Sequence, residues 1–534
     1  MDMRQTLTAR RQISLRPGLA AAAGFLCLAL LAVLLEWRLW LSNAGMPLLS
    51  WEAAERLLMS LRWSEHPFLW NDRGWLPLSF AVHGTLLRLL ERPLLAPVLL
   101  NTALNLAGLW VYWRVVSRFD AGGLRGLAPV ALCGLSRLSI ENGLCAGSDP
   151  LFILCVFAGI HGFLRWEETG RLRHQAACAA AVAAACCTRY EGWVLALCVI
   201  GLGWSRPRGA WNLLVLLPPL AWMWGYWAAP SHDPLAFVPS LGRYGHPMTH
   251  GLNGGNLEKF LSAALLGSPV DFSRQIPAAL PLVGLAVFCG GLLLGQEGRA
   301  GPTYLVLAGI PAAAMAYLAV VHHYPVDAAH MVVFHMLVMA CLARPLGRLG
   351  RAVGMPAAAL ALTAAQSVGL DQQREELRPA VSQTRFVRHV AQFALRNLPA
   401  DEALLIEIRT LCPHGEACDN AMRLRALAYP RRVRTDREDL SYRFRPEGRV
   451  LPEQASLFDL PARELEERLR ELRVRLIVAR TPAAAARLRP AWETAGVWGP
   501  YRVLLRRGDR LRPGCAALIQ TLERAFADEA ARVR

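Results

Sequence analysis

Repeated long apolar runs constrain this chain more than any other feature of its sequence. Hydrophobic residues fill 54% of its 534 positions, and its mean hydropathy is +0.28. A membrane-spanning helix needs about 20 consecutive apolar residues, and residues 17–40 form the first such run. No small-residue cleavage site follows that run, so we expect a retained first helix. The sequence predicts a polytopic α-helical membrane protein of about 11–12 spans.

The flanking charges predict the orientation of the first span. Four arginines precede it: Arg4, Arg10, Arg11 and Arg16. Positive residues favour the cytoplasmic side, so we expect a cytoplasmic N-terminus and an outward first loop. An odd number of spans would place the C-terminal region outside. Of 58 basic residues only Lys259 is a lysine, which indicates a GC-rich bacterial genome.

The net charge of +17 has an ordinary source in a membrane protein. Arginines in the short loops between spans orient the protein and contact anionic membrane lipids. No basic and aromatic pattern typical of a nucleic-acid-binding module accompanies them, so we expect no nucleic-acid partner.

Two regions follow from the distribution of apolar runs. Residues 1–370 form the transmembrane domain, with outward loops at about 42–75 and 230–275. Residues 371–534 are more polar and alternate between strand-like and helix-like segments, which predicts a small C-terminal α/β domain. We expect strands at residues 403–408, 474–479 and 501–505, and helices at 386–398, 462–473 and 483–495.

Cys412 and Cys418 differ from the cysteines inside apolar runs, because they lie in this polar C-terminal region. Outside the cytoplasm, such a pair predicts a disulfide. A Cys/His metal site is the alternative, with only His414 nearby. The sequence otherwise predicts no metal site, and it leaves the need for a divalent metal open.

Polar residues cluster at the ends of the predicted spans. The first outward loop holds four carboxylates and four tryptophans, more than a connecting loop needs. The clusters comprise Glu52 and Glu55 with Asp72 and Arg73, Glu141 with Asp149, Arg189 with Glu191, and His322 and His323 with Asp327 and His330. Because charge at membrane depth is costly, we expect these residues to line one polar cavity.

The order and spacing of these motifs resemble the GT-C superfamily of membrane glycosyltransferases, which use polyprenyl-phosphate sugars, and in particular its protein-mannosyltransferase-like members. Glu52 stands where that family has an acid after the first span, usually an aspartate, and residues 75–78 match the end of its first loop. Residues 147–151 and 188–193 resemble its Ser-Glu-Pro-Leu and Arg-Tyr-Glu-Gly motifs. The resemblance covers about the first 370 residues.

The resemblance implies a one-step displacement on the outer face of a bacterial inner membrane. Glu52 would accept the proton of an acceptor hydroxyl as that hydroxyl attacks the anomeric carbon. The donor would be a polyprenyl-phosphate sugar, and the acceptor a glycan, a lipid or a protein. Substrate-binding candidates are Asp72, Arg73, Asp149, Arg189, Glu191, Arg243, His322 and His323. Arg189, Arg243, Lys259 or a late-loop histidine would stabilise the phosphate.

Structural alternatives exist for each of these residues. Glu52 and Glu55 would also suit the solvated first turn of a surface helix, where acids favour the helix dipole. Asp149 could simply cap the start of its helix. Arg189 and Glu191 could form a buried ion pair that braces two helices. Asp72 and Arg73 could simply form an ion pair within the loop. His322 and His323 could simply lie at the membrane interface.

Two other functions fit the same sequence. A transporter or flippase for a lipid or a small solute would also place charges along a path between spans. A catalytically inactive GT-C-like scaffold would explain the glutamate in place of the usual aspartate.

Overall fold

The protein is described from a computed structural model. The described residues are 19–43, 45, 47–48, 51–67, 75–90, 94–118, 126–228, 303–304, 306–311, 313–314, 328–341, 387–399, 401–407, 423–435, 457–479, 482–488, 491–498 and 501–509.

Helices dominate the first part of the chain. They are α1 (Leu19–Ser42), α2 (Trp51–Glu65), α3 (Leu78–Leu90), α4 (Ala96–Val116), α5 (Leu127–Gly134), α6 (Arg137–Leu144), α7 (Asp149–Thr169), α8 (Leu172–Cys186), α9 (Glu191–Gly203), α10 (Leu217–Ala228) and α11 (Ala328–Cys341). A 3₁₀ helix, Gly209–Leu216, precedes α10. Within the described residues, α1 and α7 are long and apolar enough to cross a membrane.

Close packing of α4, α7 and α8 forms the centre of the bundle. A Cβ atom at Gly162 would lie 2.8 Å from the backbone nitrogen of Cys178, and one at Gly159 would lie 2.8 Å from Val182. Gly108 makes a similarly close approach to Ile153. These glycines let the three helix backbones come together, and large side chains such as Phe157 fill the surrounding core.

Three features of the local sequence place the helix ends. Pro150 occupies the first turn of α7, where its missing N–H costs nothing. Ser136 accepts a hydrogen bond from the Ser139 N–H at the start of α6, which separates α6 from α5. The long apolar run from residue 176 to 204 is divided near residues 187–190, between α8 and α9. The polar residues at this point therefore divide the run into two helices.

Helices α2 and α3 pack against each other as an antiparallel pair. A Cβ at Gly84 of α3 would lie 2.8 Å from the Ser60 carbonyl of α2. The α3 residue Leu87 shares an apolar cluster with Ala53 and Leu57 of α2. This packing holds α3 beside α2.

The C-terminal region contains a five-stranded sheet. Its strands are β1 (Ala403–Ile406), β2 (Arg432–Thr435), β3 (Val474–Ala479), β4 (Trp492–Trp498) and β5 (Tyr501–Arg506), in the order β2-β1-β3-β5-β4. The β1 strand pairs in parallel with β2 and β3, while β5 is antiparallel to β3 and β4. The predicted α/β character of this region is confirmed.

Helices cover both faces of this sheet. Residues 387–397 and 423–427 are helical and pack on one face. Helices α12 (Ala462–Glu471) and α13 (Pro482–Leu488) pack on the other. The predicted helix over 483–495 is wrong in its second half, because α13 ends at Leu488 and β4 follows. Buried Trp492 packs into the core on that face of the sheet, so tertiary packing overrides the alanine-rich helical pattern.

Candidate active site

The turn before α7 and the segment before α2 lie side by side. Leu48 forms a bridge with Cys145, and its N–H donates to the Leu144 carbonyl at 3.0 Å. Ala53 and Ala54 in the first turns of α2 share a buried cluster with Ala146. The backbone therefore brings the start of α2 to the turn that precedes Asp149.

The end of the first loop meets the junction between α8 and α9. The Leu78 N–H at the start of α3 donates to the Cys187 carbonyl at 3.0 Å. Leu76 shares an apolar cluster with Tyr190 and Trp222, and the Trp222 indole donates to the Tyr190 hydroxyl at 3.0 Å. Two motifs that are more than 100 residues apart in the sequence are thus neighbours.

Arg189 connects Glu191, its predicted partner, with Asp149, which the sequence groups with Glu141. Its Nη1 lies 2.5 Å from Asp149 Oδ1, and its Nη2 lies 2.9 Å from Glu191 Oε1. Arg189 is only 6% exposed and Asp149 only 3%. The ion pairs join the start of α7 to the start of α9. Removing one partner of a buried pair costs about 3–5 kcal/mol, because the other charge is left uncompensated.

The carboxylate partners of Arg189 hold its side chain in place. Its Nε, Nη1 and Nη2 donate charge-assisted hydrogen bonds to the carboxylates of Asp149 and Glu191. Among the described residues, these bonds fix the orientation of the guanidinium at the junction of α7 and α9.

Asn101 of α4 fixes the turn before Asp149, a role that the sequence analysis did not assign. Its side-chain Nδ2 donates to the Cys145 carbonyl, and to the Gly147 carbonyl at 3.2 Å. Its Oδ1 lies 3.0 Å from His83 Nε2 of α3. Asn101 is completely buried. One amide therefore joins α3, α4 and the Asp149 turn.

A second buried polar group surrounds Glu36 of α1. Thr102 Oγ1 donates to Glu36 Oε2 at 2.6 Å, and Asn105 Nδ2 donates to Oε1 at 3.2 Å. Asn105 also donates to the Ser139 carbonyl at 3.1 Å. A side chain at Gly143 would overlap the Glu36 carboxylate. These contacts join α1 and α4 to α6, which leads into the Asp149 turn.

The sequence held a signal for these missed residues. Glu36, Asn101 and Asn105 interrupt apolar runs, and buried polar groups inside such runs need partners. Their spacing does not name the partners, because Glu36 and Thr102 are 66 positions apart.

The polar face of α2 is also more enclosed than a solvated first turn would be. Glu55 is buried, at 2% exposure. The Arg56 guanidinium lies 4.0 Å from the centroid of the Trp75 ring, within the range of a cation–π interaction. Arg56 therefore covers one face of the Trp75 ring.

Several predicted residues lie outside the described part of the structure. Glu52 is the second residue of α2, but its side chain is not described. The others are Asp72, Arg73, Arg243, His322 and His323, together with Cys412 and Cys418. No group of three or more metal-ligating His, Cys, Asp or Glu side chains occurs among the residues described here.

Comparison with known proteins gives a match at the level of the fold. The apo crystal structure of ArnT from Cupriavidus metallidurans has a TM-score of 0.55 and 14% sequence identity, with 93% of this chain and 99% of ArnT covered. ArnT from the same organism bound to undecaprenyl phosphate has a TM-score of 0.52 and 13% identity, with coverages of 90% and 97%. No family model and no curated protein matches the sequence. The expected GT-C resemblance is confirmed for the fold.

Proposed function

We propose that this chain is an integral-membrane glycosyltransferase that transfers a sugar from a polyprenyl-phosphate-linked donor to an acceptor at the outer face of a bacterial inner membrane. The observation that carries the proposal is the meeting of three distant motifs. The start of α2, the Asp149 turn and the Arg189–Glu191 junction lie together at one end of the bundle.

The likeness to ArnT supports the donor class. ArnT is a GT-C family glycosyltransferase that uses a lipid-linked sugar, and one of its structures contains undecaprenyl phosphate. The shared fold covers nearly the whole of both chains, including the C-terminal region. A polyprenyl-phosphate sugar is therefore the donor to test first. The sugar itself and the acceptor depend on pocket shape, and both remain to be identified by assay.

An exposed apolar stripe on α1 supports the membrane location. Leu26, Leu30, Leu34, Trp37 and Leu41 recur at helical spacing and are each more than half exposed. In water such a stripe would be costly, at about 25 cal/mol for each Å² of apolar surface. In a bilayer it faces lipid. With a cytoplasmic N-terminus, we propose that the C-terminal domain is periplasmic and that Cys412 and Cys418 form a disulfide there.

We propose that Glu52 is the catalytic base. Its carboxylate takes the proton from the acceptor hydroxyl as the hydroxyl oxygen bonds to the anomeric carbon. The bond from that carbon to the phosphate oxygen breaks, and its electron pair leaves with polyprenyl phosphate. Asp149, Arg189 and Glu191 hold the helix ends that frame the site. The leaving phosphate is stabilised by cations outside the described residues, with Arg243, His322, His323 and Lys259 as candidates, and Asp72 and Arg73 contact substrate.

Substitution of Glu52 by glutamine tests this assignment. The amide keeps the size of the side chain but cannot accept the proton, so we expect about a 100-fold or greater loss of transfer. Membranes containing the protein are incubated with a panel of undecaprenyl-phosphate-linked sugars, and mass spectrometry follows donor loss and new glycosidic bonds. Glu467→Gln is the matched control, because Glu467 pairs with Arg463 on the exposed face of α12.

The outcomes separate the rival functions. Normal transfer by the Glu52→Gln variant would remove Glu52 as the base. Movement of a lipid or solute across proteoliposomes, with no new bond, would indicate a transporter or flippase. Neither transfer nor movement by the wild-type protein would favour an inactive scaffold.

A further inference from the structure

The segment 423–429 of the C-terminal domain has two packed sides. Leu424 and Ala428 point into the core of the domain, where they pack with Leu404 of β1 and Leu476 of β3. Both side chains are buried. The segment is thus an integral part of the C-terminal domain.

The other side of the same segment packs on α2. Ala426, at 2% exposure, belongs to the apolar cluster of Ala53, Ala54 and Leu57. Leu427 and Tyr429 are partly buried against that cluster. The alanines on both sides let the two backbones approach closely. This contact reaches the first turns of α2, next to Glu52.

A hydrogen bond fixes the far end of α2. The Tyr429 hydroxyl donates to Glu65 Oε2, at the last residue of the helix. Burial raises the pKa of Tyr429 above its usual range, and the hydrogen bond and negative charge of Glu65 raise it further. The phenol therefore stays protonated and able to donate at any physiological pH.

An adjoining face of α2 packs on α3, where Gly84 approaches Ser60 and Trp63 and Leu87 joins the same apolar cluster as Ala426. An isolated helix of 15 residues is marginal in water, so its position depends on such tertiary contacts. We propose that the C-terminal domain is a positioning element for the reaction, which holds α2 against α3 through Ala426 and the Tyr429–Glu65 hydrogen bond. This inference rests on the proposed role of α2 in catalysis.

We call the contacts of Ala426 and Tyr429 with α2 the clamp. The geometry of the reaction explains why α2 needs it. A displacement of about 1 Å in a reacting group can cost about 100-fold in rate. A base on a short helix beside the membrane needs support along the helix length. Contacts to the C-terminal domain and to α3 provide this support. Tyr429 and Glu65 are positioning residues, because they act through the helix.

Hydrogen–deuterium exchange of residues 51–65 in the full-length protein tests the clamp without an activity assay. We expect Tyr429→Phe and Glu65→Ala each to speed exchange of α2 by about threefold to tenfold, the effect of losing one hydrogen bond. The double variant should show no further change, since both substitutions remove the same contact. Glu65→Gln keeps an acceptor oxygen and should restore protection. Glu467→Ala is the matched control, because it also removes an exposed helical glutamate. It should leave the exchange rate of α2 unchanged.

Donor turnover then separates the clamp from the proposed function. With an undecaprenyl-phosphate sugar that the wild type uses, Glu65→Ala should lower kcat with little change in KM, and Glu65→Gln should recover it. Unchanged exchange in Tyr429→Phe and Glu65→Ala would overturn the clamp. Faster exchange with an unaltered kcat would overturn its role in the reaction. Faster exchange in a protein that transfers no sugar would keep the mechanical contact and reject the proposed function.

Discussion

At the scale of single residues, the candidate site depends on the side-chain amide of Asn101 as much as on its charged side chains. Asn101 makes two donations to the backbone of the Asp149 turn from inside α4. Because Asp149 follows this turn directly, the amide sets where the carboxylate lies, and therefore where Arg189 is held.

Asn101→Asp tests this positioning with almost no change in size. The carboxylate cannot donate to the Cys145 and Gly147 carbonyls and would repel them, so we expect a loss of about 1–3 kcal/mol in stability. We also expect sugar transfer to fall by about tenfold or more, because a displaced site is slow. Thermal unfolding and donor turnover are the measurements.

Asn212→Asp is the control for that prediction. Asn212 is equally buried, and it exchanges hydrogen bonds with Gln175 and Val199 at the other end of the bundle. Its substitution should lower stability by a similar amount but leave transfer per folded molecule unchanged. Equal losses of transfer in both variants would mean that Asn101 has no special role at the site.

The sequence predicted the charged residues of the site better than the neutral ones. Asp149, Arg189 and Glu191 stand out because they begin or break apolar runs, and the structure brings them into contact. His83 and Asn101 did not stand out. Their partners are set by the packing of α3 and α4 against the Asp149 turn, and no local periodicity encodes which helices become neighbours.

At the scale of the helices, one close approach determines the α2–α3 pair. A Cβ at Gly84 would lie 2.7 Å from Trp63 Cε3 and 2.8 Å from the Ser60 carbonyl. The tryptophan ring can move, but the backbone carbonyl cannot move without a shift of α2. The pair therefore tolerates only glycine at this contact.

Gly84→Ala should separate α2 from α3. We expect about 1–3 kcal/mol of destabilisation from the overpacked contact, which outweighs the higher helix propensity of alanine. Gly201→Ala in α9 is the matched control, since nothing lies within 4 Å of its Cβ position. Thermal unfolding should show a lower midpoint for Gly84→Ala and an equal or higher one for Gly201→Ala. If the two variants unfold alike, the helices do not pack as closely as described.

Helix ends marked by a proline or a polar motif in the sequence were predictable. Elements that exist only because of packing against a distant segment were not. The start of α7 at Asp149 and the break between α8 and α9 follow from Pro150 and from the polar motif at residues 188–191. The β2 strand is only four residues long and pairs with β1, so no pattern in its own sequence reveals it. Its existence depends on a neighbouring strand about 30 residues away.

At the scale of the whole molecule, the contacts assign the ends of α1, α3 and α4 to one of two ends of the bundle. The Asp149 end includes Leu39 of α1, both ends of α3, and the start of α4. The opposite end includes Phe25 of α1 stacked on Trp113 of α4, and Arg118 bonded to Glu168 at 2.6 Å. Helix α3 therefore stays at the end where it begins, and α4 runs from that end to the opposite end.

This arrangement makes the positions of the arginines agree with the positive-inside rule. If α3 crossed the membrane, the arginines after α4 would lie outside, against the positive-inside rule. If α3 remains outside, Arg114, Arg118, Arg165, Arg171 and Arg173 share the cytoplasmic side. We propose that the first outward loop continues through α3 to about residue 95.

Labelling of added cysteines distinguishes the two topologies. Arg88→Cys near the end of α3 and Arg173→Cys at the start of α8 both replace exposed arginines. We expect a membrane-impermeant maleimide added to intact spheroplasts to label Arg88→Cys above the wild-type background, and to reach Arg173→Cys only after permeabilisation. If α3 spans the membrane, Arg88 lies inside and α4 carries Arg173 to the outside, so the pattern should be reversed: Arg173→Cys should react in intact spheroplasts and Arg88→Cys only after permeabilisation. Only the first pattern leaves α2 and α3 together on the outer face, where the proposed reaction requires the Glu52-bearing helix to be.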